Sequence, residues 1–246
     1  MARAPAGALA LAALPAELAR RGYDRAELCH FHLASRQPAY LRDIRAAFAA
    51  AGVSIQTLLI DDGDITGSQR ERDLNWISGW VESAAALGAD CARVIAGKAK
   101  PSDEALAQSI AGLRRIGAEG KVLGVRIVTE NWFDLLAGPR EVHQVLDALD
   151  GGVGFLADTG NWKGRAKYAD LASVFGRAER CHAKAEFGPG LVIDGEDFAQ
   201  CIRAAAEAGY AGPYTLVFES EGEPWAGVAA ENAFITAALV GGPAQL

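Results

Sequence analysis

The sequence is poor in the residue types on which several kinds of protein depend. Its 246 residues hold four cysteines, four histidines and one methionine. Cys29, Cys91, Cys181 and Cys201 make no Cys-x-x-Cys pair, and most sit in apolar, strand-like runs. That pattern excludes a disulfide framework and a structural zinc site, leaving small buried hydrophobes in a reducing compartment. Lysine and arginine number 24 against 31 aspartates and glutamates, for a net charge of −7. A chain with that balance lacks the basic face that a phosphate backbone selects, so nucleic acid is not an expected partner. No apolar run has the length of a membrane span, so no membrane partner is expected either. Neither a Gly-x-Gly-x-x-Gly fingerprint nor a P-loop is present, and nucleotide cofactors are not indicated. The absence of a Gly-x-Ser-x-Gly elbow removes the usual hydrolase triad.

What is present is half apolar and 22% charged, the composition of a globular enzyme-sized chain. Arg3 followed by Ala6–Leu14 has a faint likeness to a secretory leader. The run is alanine-dominated, however, and continues through Pro15 into a segment that reads as a helix stopped by Gly22. The expected location is therefore cytoplasmic.

From there strand and helix alternate almost to the end. Apolar strand-like runs cover Ala26–Leu33, Val53–Ile60, Cys91–Ala96, Val125–Thr129, Val153–Ala157, Arg180–Glu186 and Tyr214–Phe218. Amphipathic stretches lie between them, and Ser102 with Asp103 and Glu104 supplies an N-terminal cap for the helix that follows. Repeated strand–helix units imply a parallel sheet covered by helices. At this length the expected fold is an α/β (β/α)8 TIM barrel, one domain over residues 1–246. Its first strand is weak or missing, because the one segment left for it, Ala8–Leu14, reads equally well as helix.

Four of the runs lead into groups able to hold a divalent cation: Glu130, Asp158, His182 and Glu219. A strand packed on both faces has little reason to finish on a bare carboxylate unless that carboxylate meets a cation, a partner or water. The four lie about one strand–helix unit apart, and in a barrel the C-terminal strand ends converge on one mouth. Three carboxylates and an imidazole suit one divalent metal ion, Mn²⁺, Mg²⁺, Co²⁺ or Zn²⁺. Read singly, each is an ordinary polar strand end; the series is what favours a site.

The ordered set, in the local texts Thr129-Glu130-Asn131, Asp158-Thr159-Gly160-Asn161, His182-Ala183-Lys184 and Phe218-Glu219, resembles the xylose-isomerase-like TIM-barrel superfamily of sugar phosphate isomerases and epimerases. The likeness extends from Gly22 through most of the chain. It implies that the four residues bind one metal and that Glu130 and Glu219 form the acid/base pair. The implied activity is isomerisation or epimerisation of a small sugar, sugar phosphate or related polyhydroxy ketone through an enediolate. It also allows a homo-oligomer, since the family often forms dimers or tetramers. Two departures bear on the substrate. Asn161 stands where ketose epimerases of the family usually have histidine, and Ala185 follows Lys184 where aspartate is common.

Around these, Lys184 shares a strand face with His182 and is expected to hold a substrate oxygen or anion; a pair with Glu186 is the alternative. His30 and His32 fall on one face at a strand end, with His32 the better placed for substrate. Asn161, Trp132 and Trp162 follow the acidic strand ends and are expected to contact a sugar-like substrate, the indoles offering flat faces to its C–H groups. Asp61, Asp62 and Asp64 read as a solvated, capped turn. Rival readings are an inosose-type dehydratase, which begins with the same proton abstraction, and a non-catalytic metal or sugar binder. An apurinic-site endonuclease would need more histidines and a less acidic surface.

Overall fold

The structure, a computed structural model, describes residues 9–241. Nine strands are present among them: β1 (Arg25–Cys29), β2 (Ser54–Ile60), β3 (Cys91–Val94), β4 (Arg126–Glu130), β5 (Gly154–Asp158), β6 (Ala178–Ala183), β7 (Phe187–Gly188), β8 (Val192–Ile193) and β9 (Tyr214–Leu216). Seven form one parallel sheet in the order β1-β2-β3-β4-β5-β6-β9, and β7 and β8 make a small antiparallel hairpin. The sheet curls into a nearly closed TIM barrel wrapped by α1 (Leu14–Arg20), α2 (Pro38–Ala50), α3 (Arg70–Leu87), α4 (Asp103–Leu123), α5 (Pro139–Leu149), α6 (Lys167–Phe175), α7 (Gly195–Glu207) and α8 (Pro224–Gly241).

Local signals explain most of these boundaries. Ser102 Oγ accepts the Ala105 N–H at 3.1 Å and starts α4, with Asp103 and Glu104 in the positive first turn. Gly88 ends α3 in the left-handed conformation that a side chain resists. The N-terminal run resolves as helix rather than strand. Ala8 lies outside the described residues, Leu11–Ala13 is a 3-10 turn, and Leu14 opens α1. Alanine and leucine are among the best helix formers, and nothing in that run is β-branched. No strand therefore precedes β1 among the described residues, and β9 and β1 flank an unpaired seam in the barrel wall.

Two cores result from the period of two. Residues facing outward join the helices in one large apolar cluster that includes Leu58, Ile127, Phe155 and Cys181. Facing inward, Cys91, Val128 and Leu156 form a small apolar plug inside the barrel, each no more than 2% exposed. Above that plug the same faces carry Arg93, Glu130 and Asp158, so the change from apolar to charged happens within one residue pair along each strand. No helix of the described residues is long and apolar enough to cross a membrane.

Candidate active site

Glu130, Asp158 and His182 each present one ligand atom, all within 4.8 Å of one another and all buried. Parallel register sets this meeting: Glu130 lies opposite Leu156 and Asp158 opposite His182, so successive strand ends rise to the same level. His182 Nδ1 is 3.5 Å from Glu130 Oε1 and 3.6 Å from Asp158 Oδ2.

Each member is held from behind. Asn131, next to Glu130, accepts the Asp158 backbone N–H at 2.7 Å and donates to its carbonyl at 3.0 Å, which ties β4 to β5. Asp158 Oδ1 accepts from the N–H groups of Gly160 and Asn161 at 2.6 and 2.9 Å. Glu130 Oε1 accepts from Asn161 Nδ2 at 2.9 Å. The other oxygen of each acid, Glu130 Oε2 and Asp158 Oδ2, is buried and makes no hydrogen bond, facing instead Arg93 Nε at 3.1 Å and Lys184 Nζ at 3.2 Å. Two buried carboxylates beside an imidazole fit the donor set of a divalent cation.

The imidazole is oriented by a residue the sequence reading passed over. Glu27, inside β1, accepts from His182 Nε2 at 2.7 Å and from Thr57 Oγ1 at 2.8 Å. That pairing leaves Nδ1 turned toward the acids, the arrangement that metal-ligating histidines use. Burial works against ionisation here, but neighbouring charge prevails. Glu27 is held below the ordinary carboxylate value by His182 and its hydrogen bonds. Asp158 falls to about 2 through His182 and Lys184, and His182, ringed by Glu27, Asp158 and Glu130, rises well above the usual imidazole value.

The fourth residue of the expected set is placed differently. Glu219 lies just beyond β9 with its side chain 66% exposed, and it stands outside the cluster of three. Lys184 Nζ connects it to that cluster, 3.1 Å from Glu219 Oε2 and 3.2 Å from Asp158 Oδ2. Gly160 makes this path possible, because a Cβ there would fall 2.5 Å from Lys184 Cδ. Glu186 pairs with Lys163 instead of Lys184.

Behind Glu130 stands a second residue missed in the sequence, Arg93 of β3. Its guanidinium pairs with Asp61, lies 3.1 Å from Glu130 Oε2 through Nε, and stacks 4.8 Å from the Trp132 ring centre. A charged residue within the apolar run Cys91–Ala96, at the parity of the barrel interior, was the available signal.

A cavity of about 680 Å³ joins these groups; Glu130, Asp158, Asn161, His182, Lys184 and Glu219 line it, as do Arg93, Trp132 and Trp225. It runs on through the seam, past Leu14 and Leu18 of α1 and Ile235 and Leu239 of α8. Two expected contacts are absent from its lining. Trp162 is 6% exposed, packs in the outer core, and donates its Nε1–H to the Leu136 carbonyl at 3.0 Å. His32 falls in a 3-10 turn, because β1 stops at Cys29 rather than running on to Leu33, and its side chain is exposed. His30 packs edge-on against Trp76 and Trp80. Asp62 pairs with Lys98, and Asp64 Oδ1 caps Thr66 at 3.0 Å, as a structured turn would.

Comparison with known proteins gives a consistent picture. A family model for the xylose isomerase-like TIM barrel matches residues 15–238. No curated protein matches by sequence. Among solved structures, the E. coli 3-keto-D-glucoside 4-epimerase YcjR superposes with a TM-score of 0.73 at 15% identity, covering 96% of this chain and 97% of its own. A xylose isomerase-like TIM barrel protein from Mycobacterium smegmatis, in complex with magnesium, also gives 0.73, at 18% identity over 95% and 92%. A D-psicose 3-epimerase in the presence of D-fructose gives 0.69, at 15% identity over 94% and 93%. At these identities the solved structures bear on the fold alone.

Proposed function

This chain belongs to the xylose isomerase-like TIM barrel family, and on that premise we propose that it is a divalent-metal-dependent isomerase or epimerase of a small sugar-like ketone. The observation that carries the reading is the buried cluster of Glu130, Asp158 and His182, which bring one ligand atom each within 4.8 Å of one another. The sugar epimerases among the similar folds support the substrate class.

Glu130, Asp158 and His182 would hold the cation, with Glu219 as the fourth ligand once its carboxylate leaves Lys184. When bound, such an ion supplies Lewis acidity to a carbonyl and its neighbouring hydroxyl, acidifying the C–H between them. The chain's own groups do the rest. One carboxylate, Glu130 or Glu219, removes the proton from that carbon, and the electron pair passes into the adjacent carbonyl to give an enediolate. The other glutamate, on the opposite face, returns a proton, which inverts the carbon; return to the neighbouring carbon isomerises instead. Lys184 carries a full positive charge beside both acids, its pKa raised by Asp158 and Glu219 against the effect of burial. There it stabilises the developing oxyanion. Trp132 lines the cavity beside these groups, with the Arg93 guanidinium stacked on its ring.

Only one of the four histidines, His182, joins an acidic cluster, which counts against a multi-zinc nuclease. The test is exchange of carbon-bound hydrogen with deuterated solvent, using Mn²⁺-loaded protein and a panel of ketoses, 3-keto sugars, keto-acids and inososes. At least one compound should exchange. Exchange with none, or a Mn²⁺-grown crystal with no anomalous scatterer between the three side chains, would overturn the reading.

A further inference from the structure

The cluster accounts for Glu130, Asp158 and His182 but leaves Arg93 unexplained. Its side chain is 4% exposed and lines the cavity, yet its Nη1 has no hydrogen-bond partner at all. A guanidinium that served only to clamp Asp61 and Glu130 would direct its N–H groups at them. This one pairs with Asp61, sits alongside Glu130 outside hydrogen-bond geometry, and leaves Nη1 free. Buried donors without an acceptor are rare in folded proteins. Trp132 covers the guanidinium plane and both residues line the cavity, so the open side from which an acceptor would come to this buried Nη1 is the cavity, beside that indole.

The charges nearby restrict what the acceptor is. Arg93 is matched by two carboxylates, Asp61 and Glu130, and Lys184 by two more, Asp158 and Glu219. With Glu130, Asp158 and Glu219 turned to a cation, Arg93 still keeps Asp61 as its own counter-charge, so it has no spare charge for a phosphate or carboxylate, whereas a neutral oxygen needs only the donor.

We propose that Arg93 is a substrate-contacting residue whose Nη1 donates to a neutral hydroxyl or carbonyl oxygen of the sugar, on the Glu130 side of the site. Lys184 serves the Asp158 side. That pairing selects an unphosphorylated ketose at this end of the cavity. The proposal rests on the isomerase or epimerase reading and names which residue reads the substrate and what it rejects.

The test compares Mn²⁺-loaded wild type with Arg93→Lys, which keeps the charge that Asp61 and Glu130 need but loses the planar fork. Arg93→Gln serves as a second variant, with its fold checked by circular dichroism. Calorimetry with D-fructose, D-tagatose and D-psicose, and separately with fructose 6-phosphate and Mn²⁺ alone, gives the readouts. In Arg93→Lys the affinity for the ketose that binds wild type should fall about tenfold or more, as expected for losing a charge-assisted hydrogen bond. Mn²⁺ affinity should stay within about threefold, because a guanidinium is not a cation ligand. In wild type, fructose 6-phosphate should bind no better than D-fructose. Unchanged ketose affinity in Arg93→Lys, or tighter binding of the phosphorylated sugar, would overturn the proposal, while hydrogen exchange by wild type would leave the isomerase reading standing. If wild type neither binds nor exchanges any member, both fall together.

Discussion

Strands β4 to β6 and the seam between β9 and β1 belong to one barrel, but they hold their acidic groups in opposite ways. In the first region every strand has two neighbours, and Glu130, Asp158 and His182 are buried to 4, 1 and 5% exposure. Backbone amides and Asn161 fix the carboxylates from behind, and Asn131 holds the Asp158 backbone, so their geometry is set by folding. In the second region β9 has three residues and one neighbour, and Glu219 beyond it is tethered by a lysine while two-thirds exposed. Binding groups need to be rigid before the ligand arrives, whereas a group that moves a proton must reach substrate after it. On the proposed function, the difference would assign cation recognition to the closed sector and adaptation to the open one.

The largest expected effect tests that division directly. Glu219→Gln keeps shape and one ligand oxygen but loses basicity, so turnover should fall by about 10²- to 10⁴-fold. Mn²⁺ affinity, set mainly by the buried three, should move far less. An equal loss of both would place Glu219 with the rigid group and erase the distinction. Next in size is Glu27→Gln, which reaches the closed sector from across the seam. Removing the charge that orients His182 should weaken Mn²⁺ binding about 10- to 100-fold, measurable by calorimetry without any substrate. Unaltered affinity would show that His182 needs no such partner.

Amide hydrogen exchange provides a smaller, structural measure. Thr215 and Leu216 in β9 should exchange about tenfold faster than Val128 and Thr129 in β4, because only the latter lie in a strand paired on both sides. Equal protection would mean that the seam is as closed as the rest of the wall. The smallest effect concerns Glu231 of α8, which accepts the Ala185 N–H at 3.1 Å and is otherwise enclosed. Burial pushes its carboxyl up to about 7. An acid whose folded pKa lies above its unfolded value favours folding while protonated. Its contribution is therefore present at low pH and is lost as pH rises from about 4.5 toward 7. Glu231→Gln should raise Tm by a few degrees above pH 7 and leave it nearly unchanged near pH 4; a shift of the opposite pH dependence would refute the burial argument.

The grouping of Glu130, Asp158 and His182 could be read from sequence because each candidate ligand follows an apolar run. The contrast between Val-Thr and Glu130, or Leu-Ala and Asp158, needs no tertiary knowledge to notice. Glu27 gave no such contrast. It sits inside the mixed text Arg-Ala-Glu-Leu-Cys, and its importance comes from a histidine 155 residues away. Arg93 was hidden differently, as one charge within an apolar strand whose inward parity matters only once the barrel closes. Trp162 was misplaced because spacing from Asp158 gives distance along the chain and not direction, and its indole turned outward to reach the Leu136 carbonyl. His32 failed through a boundary: the apolar run continues to Leu33, but the strand turns at His30.

The plug of Cys91, Val128 and Leu156 has a kinetic consequence. It fills the middle of the barrel below the charged groups, while the cavity follows the seam down to Arg25 and Pro213. Whatever binds at the cluster would pass by the mouth or by that adjoining seam. A ligand that filled both would bar the exit of whatever lay beneath it. A chelator should therefore strip the ion more slowly from the occupied protein than from the free one, and the occupant's residence time, rather than the strength of the ion's own bonds, would set that rate.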